Sequence, residues 1–129
     1  MMETAMVFDK FGSVIRWHEP ADRSSGALPD SRSLWDFLWE NRNNLGGVAH
    51  THPWNGEVWP SATDLTTFRA VERGLGVKLI WPVVTFTAIK YYVWDEEDES
   101  YATTQPDFAE GSHWIQNLEE LRRKSHNGG

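Results

Sequence analysis

The chain has no cysteine among its 129 residues, which removes disulfide staples, thiolate metal sites and cysteine nucleophiles together. Any metal would have to be held by histidine and carboxylate. No apolar run approaches the ~18 residues that span a bilayer, and no signal-peptide pattern opens the sequence, so a cytoplasmic protein without membrane contact is expected. Positive charge is scarce: 12 Lys and Arg stand against 19 Asp and Glu, a net charge of −7. A surface that grips phosphate backbones needs clustered cations, so nucleic acid is not an expected partner. Internal repeats and low-complexity tracts are missing as well. At 129 residues the chain has room for one domain, 1–129, and not for a catalytic domain with a separate binding domain.

What is present is an ordinary globular composition, 40% hydrophobic and 24% charged, with eight tryptophans to build core and groove walls. Thr4–Phe8 and Ser13–Trp17 read as two strands around a turn that contains Gly12. Residues Glu19 to Pro29 hold two prolines and a Ser-Ser-Gly cluster, the composition of a surface loop. From Asp30 or Ser31 to about Arg42, Leu34, Phe37 and Leu38 recur at helical spacing behind a capping residue. Asn43-Asn44-Leu45-Gly46-Gly47 reads as the stop of that helix, and Val48–His52 as a strand ended by Pro53.

Beyond a Gly- and Trp-containing loop, Leu65, Phe68, Val71 and Leu75 mark a second amphipathic helix that Gly74 or Gly76 closes. Val77–Phe86 and Ile89–Trp94 read as further strands of the same sheet, with Pro82 marking an edge or a bend. The run Asp95-Glu96-Glu97-Asp98-Glu99 reads as a solvated loop. A last helix is expected at about 112–124, capped by Ser112, with Trp114 or Ile115, Leu118 and Leu121 as its apolar stripe. The expected architecture is α/β, a mixed twisted sheet flanked by helices.

Histidines two apart on a strand project to the same face, so His50 and His52 can aim both imidazoles at one point while Thr51 faces the other way. Asp64, in the first turn of the following helix, can bring its carboxylate back over the strand end as a third ligand. Two imidazoles and one carboxylate with an open fourth position are a donor set for catalytic zinc. Taken alone, Ser61 and Asp64 equally match a helix capping box.

His50-Thr51-His52-Pro53, followed by Ser61-Ala62-Thr63-Asp64 with eight residues between His52 and Ser61, resemble the metal motif of the JAB/MPN (JAMM) metallopeptidase family, written His-Ser/Thr-His-Pro, a spacer, Ser-x-x-Asp. The family spacer is usually one residue shorter. In that family a Glu opens an early strand roughly fifty residues before the histidines, and Glu3–Phe8 is similar to that strand, with Met6 where glycine is frequent.

The resemblance implies a JAB/MPN (cytidine-deaminase-like) architecture and a Zn2+ ion held by His50, His52 and Asp64. It implies Glu3 as general base and Ser61 as the hydroxyl that supports the oxyanion. The implied reaction is hydrolysis of a peptide or isopeptide bond after the C-terminal glycine of a ubiquitin-like protein, as in small stand-alone prokaryotic members. Glu57, Glu19 and Glu40 are the other carboxylates open to the base role, and Trp54 and Trp59 flank the motif as candidate walls of a substrate cleft. His18, His113 and His126 lack partners at ligand spacing and read as surface or packing residues. Two further readings stay open: a metal-free MPN-type interaction scaffold, against which the intact ligand set speaks, and a RadC-like DNA-associated protein, against which the acidic balance speaks.

Overall fold

The computed structural model describes residues 3–19, 32–52 and 57–127. Its first elements are the expected hairpin, β1 (Ala5–Asp9) and β2 (Val14–His18), paired antiparallel. The turn is built by Asp9, whose Oδ1 accepts the N–H groups of Phe11 at 2.9 Å and Ser13 at 3.0 Å. Gly12 occupies a left-handed conformation there, φ +84°, which a side chain would strain. Helix α1 (Arg32–Glu40) follows, and the expected loop before it, with the cap at Asp30 or Ser31, lies outside the described residues from position 20 to 31.

Strand β3 (Leu45–Thr51) begins three residues earlier than its side chains suggest. Gly46 and Gly47, expected to stop the helix, belong to the strand: a Cβ on the first would strike the Asp9 carbonyl, and on the second the Ile80 carbonyl. These glycines let neighbouring backbone close in on both sides. The rest of the sheet comprises β4 (Ile80–Val84), β5 (Ile89–Asp95) and β6 (Ser100–Thr104), and α2 (Ala62–Leu75) connects β3 to β4. The strand order is β2-β1-β3-β4-β5-β6, with β3 and β4 parallel and every other pair antiparallel. The protein is therefore α/β with a six-stranded mixed sheet.

One expectation needs correction, and two regions hold more structure than expected. Pro82 lies inside the sheet, buried between β3 and β5, and not at an edge. Its missing N–H is tolerated because the β3–β4 register pairs Gly47 with Ile80 and His50 with Val83 and passes over Trp81 and Pro82. The acidic run is an exposed turn at positions 96–99, as expected of a solvated loop, and it leads into β6, a strand not expected at all. Asp95 Oδ1 accepts the N–H of Glu97 at 2.9 Å, and Glu99 takes a positive φ of 49°, so this turn closes without glycine. Finally α3 spans Ser112–Asn127, beyond the expected end, and it buries Trp114 and not Ile115, which is 44% exposed.

Two cores sandwich the sheet. On one face α1 and α2 pack Leu38, Phe68 and Leu75 over Ala5, Val7, Val48, Trp81, Val83 and Tyr92. On the other, α3 packs Trp114, Leu118 and Leu121 over Met6, Phe8, Ala49, Val84 and Tyr91. Trp114 stands edge-on to Phe8 at 4.9 Å, and its indole N–H donates to the Tyr91 hydroxyl at 2.7 Å, so its one polar atom is satisfied in the core. No described helix is long and apolar enough to cross a membrane.

Candidate metal centre

Strand alternation sets the geometry. Val48 and His50 project toward α2, and His52, one residue past the strand end, continues that series; its N–H donates to the Val84 carbonyl at 2.8 Å and keeps it in the ladder. Asp64 comes to the same point from α2. Ser61 is the N-cap: its hydroxyl accepts the Asp64 N–H at 3.0 Å, and its own N–H donates to Asp64 Oδ2 at 2.9 Å. This reciprocal capping box fixes the carboxylate over the first turn, where the positive end of the helix favours it.

The two histidine Nε2 atoms lie 3.1 Å apart. Asp64 Oδ2 lies 3.0 Å from Nε2 of His52 and 3.3 Å from Nε2 of His50. All three residues are buried, at 4%, 4% and 8% exposure. The triangle has a direct chemical reading. In a tetrahedral zinc site with bonds of ~2.0–2.1 Å, neighbouring ligand atoms are separated by about 3.3 Å. The observed edges approach that figure, so His50, His52 and Asp64 could hold a metal ion with little rearrangement.

Proton placement supports the same fit. His52 Nδ1 lies 3.3 Å from the Glu57 carbonyl oxygen, which can only accept, so Nδ1 carries the proton. A ring protonated at Nδ1 alone would turn its Nε2 lone pair toward the Asp64 carboxylate and repel it, so this contact calls for positive charge at Nε2, whether a proton or a cation. One proton can bridge one edge of the triangle; a divalent cation serves all three. Burial opposes the Asp64 anion, but the imidazoles of His50 and His52 and the Ser61 N–H overcome it and hold the carboxyl far below the usual carboxylate range. The cluster is therefore built for a charged carboxylate.

No protein-family model matches this chain, and no curated protein matches it.

Around the triangle, Glu3 is 2% exposed, although an N-terminal carboxylate is usually solvated. The backbone ladder reaches it: Ala5 pairs with His50, and Thr51 N–H donates to the Thr4 carbonyl at 3.0 Å, a register that puts Glu3 opposite His52. It is not one of the three residues whose ligand atoms converge. Ser61 is exposed, and since its oxygen accepts within the capping box, its O–H proton remains to be donated outward. Trp59 is 58% exposed, with the Lys90 ammonium 4.2 Å from its ring centre; Trp54 lies outside the described residues.

The alternative carboxylates are all exposed. Glu57 is exposed and approaches the cluster through its backbone carbonyl; Glu19 lies 3.5 Å from the Lys124 ammonium, and Glu40 is exposed at the end of α1. His18 is buried at 4% and packs at the end of β2, while His113 and His126 are exposed. Two contributors went unseen in the sequence. Tyr92, on β5, donates its hydroxyl to the Val58 carbonyl at 2.7 Å and so holds the segment whose next carbonyl meets His52. Ser125 bonds the Thr51 hydroxyl at 2.9 Å behind the metal strand. The stripe Trp114, Leu118, Leu121, continued by one turn, would have put Ser125 on the buried face. A backbone carbonyl such as that of Glu57 leaves no such trace.

Proposed function

We propose that this chain is a zinc-dependent peptidase or isopeptidase of the JAB/MPN (JAMM) kind, which cuts after the C-terminal glycine of a ubiquitin-like protein. The observation that carries this reading is the buried triangle of His50 Nε2, His52 Nε2 and Asp64 Oδ2, with edges of 3.0 to 3.3 Å. It is joined by the order His-Thr-His-Pro, spacer, Ser-x-x-Asp in which those residues occur. Bound there, zinc supplies a Lewis acid and brings the pKa of a coordinated water toward ~7.

The chain's own groups divide the remaining work. Glu3, buried at 2% exposure, takes the proton of the attacking water and returns it to the leaving amine. Ser61, exposed at the mouth of the cluster, donates its free O–H to the carbonyl oxygen as charge develops there. Trp59 forms a wall of the substrate cleft. No side chain becomes covalently attached to the substrate.

The test is one preparation of wild type, His52→Ala and Glu3→Gln, assayed for bound zinc and for cleavage of ubiquitin-like fusion proteins. Wild type takes one zinc per chain and cleaves. His52→Ala loses zinc, whereas Glu3→Gln retains it and loses about 10²- to 10⁴-fold in kcat, the usual weight of a general base. Full activity in Glu3→Gln would move the base to Glu57. A wild type that takes no zinc would leave the metal-free scaffold in its place.

A further inference from the structure

A second polar constellation sits at the opposite end of α2. Asp64 and the C-cap Gly76 are twelve residues apart, about 18 Å along the helix, so the two places share an element and no side chain. Here Arg69, Glu72, Arg73, Lys78, Trp94 and Glu96 line a cavity of about 180 Å³. Gly76 forms part of its wall in a left-handed conformation, φ +71°, with open space where a Cβ would be.

Three of the chain's 12 cations meet at this cavity, against a molecular net charge of −7. The Arg69 guanidinium lies 3.8 Å from the centre of the Trp94 ring and also bonds the Tyr101 hydroxyl, which together hold it in place. Two donors of this stacked pair, Arg69 Nε and Trp94 Nε1, are buried without a hydrogen-bond acceptor among the described residues. Buried donors are ordinarily paired, so each of these two calls for an acceptor that the described residues do not supply.

The acids in the lining do not supply it. Glu72 is 4% exposed and has both oxygens engaged, Oε2 by the Leu79 N–H at 2.8 Å and Oε1 by the Tyr101 hydroxyl. Glu96 is exposed on the acidic hairpin tip. The carbonyl end of α2 is itself weakly negative, and Arg73 in its last turn offsets that.

We propose that this cavity is a phosphate-binding site, in which Arg69 and the Trp94 indole N–H donate to the anion and Arg73 and Lys78 neutralise it. Its volume suits a single small oxyanion and falls below the ~300–1,000 Å³ of pockets for larger organic ligands. A phosphate dianion gains more from three cations than a carboxylate does, and guanidinium edges match its oxygens in pairs. The site needs no metal at His50, His52 and Asp64, so it stands or falls apart from the peptidase reading.

The indole N–H of Trp94 is its natural reporter. The ¹⁵N-labelled full chain would be titrated with inorganic phosphate at constant ionic strength, with sodium chloride and sodium acetate as parallel arms and Trp94→Phe to assign the resonance. Saturable movement of the Trp94 indole and Arg69 Nε–H resonances at millimolar phosphate is expected, with little movement in the other arms. Arg73→Ala/Lys78→Ala, which alters two exposed side chains, should weaken binding by about 10-fold or more while the backbone spectrum stays native. Equal response to acetate or chloride, no saturable shift, or unchanged affinity in the double variant would overturn the proposal.

Discussion

The two faces of β3 bury polar side chains within a few ångströms of each other and treat them in opposite ways. On the α3 face, Thr51 is enclosed by groups that complete it. Its hydroxyl accepts the Thr4 N–H at 2.9 Å and pairs with the Ser125 hydroxyl, also at 2.9 Å, with Ser125 and Thr4 both fully buried. On the α2 face, His50, His52 and Asp64 converge atoms that mostly accept, at separations of 3.0 to 3.3 Å. The first network is closed by protons already in the chain. The second gains full complementarity only from added positive charge. A buried polar group thus points to structure where its partners balance it and to function where they do not.

The contrast yields an ordered set of effects. Removing a ligand on the α2 face should be severe: His50→Ala or His52→Ala is expected to reduce zinc affinity more than ~100-fold in competition with a chromophoric chelator, since loss of an outer partner alone costs 10–100-fold. Next, Tyr92→Phe releases the Val58 carbonyl and with it the segment whose Glu57 carbonyl orients His52. A loss of about 10-fold in zinc affinity is expected, with the metal-free melting temperature changed little. Zinc itself should raise the melting temperature of wild type, since free ion at 100 times its Kd adds ~2.7 kcal/mol to folding stability. That gain should vanish in His52→Ala.

The smallest effect lies on the opposite face. Ser125→Ala removes one partner of Thr51 and leaves the Thr4 N–H in place, so denaturant unfolding should register a loss of about 1 kcal/mol. Zinc affinity should remain that of wild type. A Ser125→Ala protein that lost zinc and kept its stability would reverse the roles assigned to the two faces.

The comparison also separates what side-chain pattern conveys from what it does not. His50 and His52 could be placed on one face because strand alternation is strict, and Asp64 could be placed beside them because its spacing from Ser61 matches a capping box. The capping reading and the ligand reading, which competed on the sequence, are compatible: the same Oδ2 accepts from the Ser61 backbone and faces both imidazoles. The hairpin and the apolar faces of α1 and α2 were legible for the same reason, since each depends on local periodicity.

What escaped depended on neighbours far along the chain. Gly46-Gly47 looks like a helix stop until Asp9 and Ile80 are known to press against it from two other strands. Pro82 looks like an edge residue or a bend until the ladder on its β3 side is seen to pass over it. Strand β6, Ser-Tyr-Ala-Thr-Thr, has little apolar alternation of its own and forms because β5 offers an edge, through pairs such as Tyr92 with Thr103 and Trp94 with Tyr101. The burial of Glu3 likewise comes from a backbone register with β3 and from no feature of its immediate neighbours.

The proposed activity requires one divalent ion held by two imidazoles, from β3 and the residue just past it, and one carboxylate from α2. Zinc-edge X-ray absorption on wild type loaded with one equivalent of zinc addresses this directly. Scattering from two imidazoles, with all nitrogen and oxygen ligands at ~2.0–2.1 Å, is the expected result. A spectrum of six oxygen or water ligands, without imidazole scattering, would contradict it.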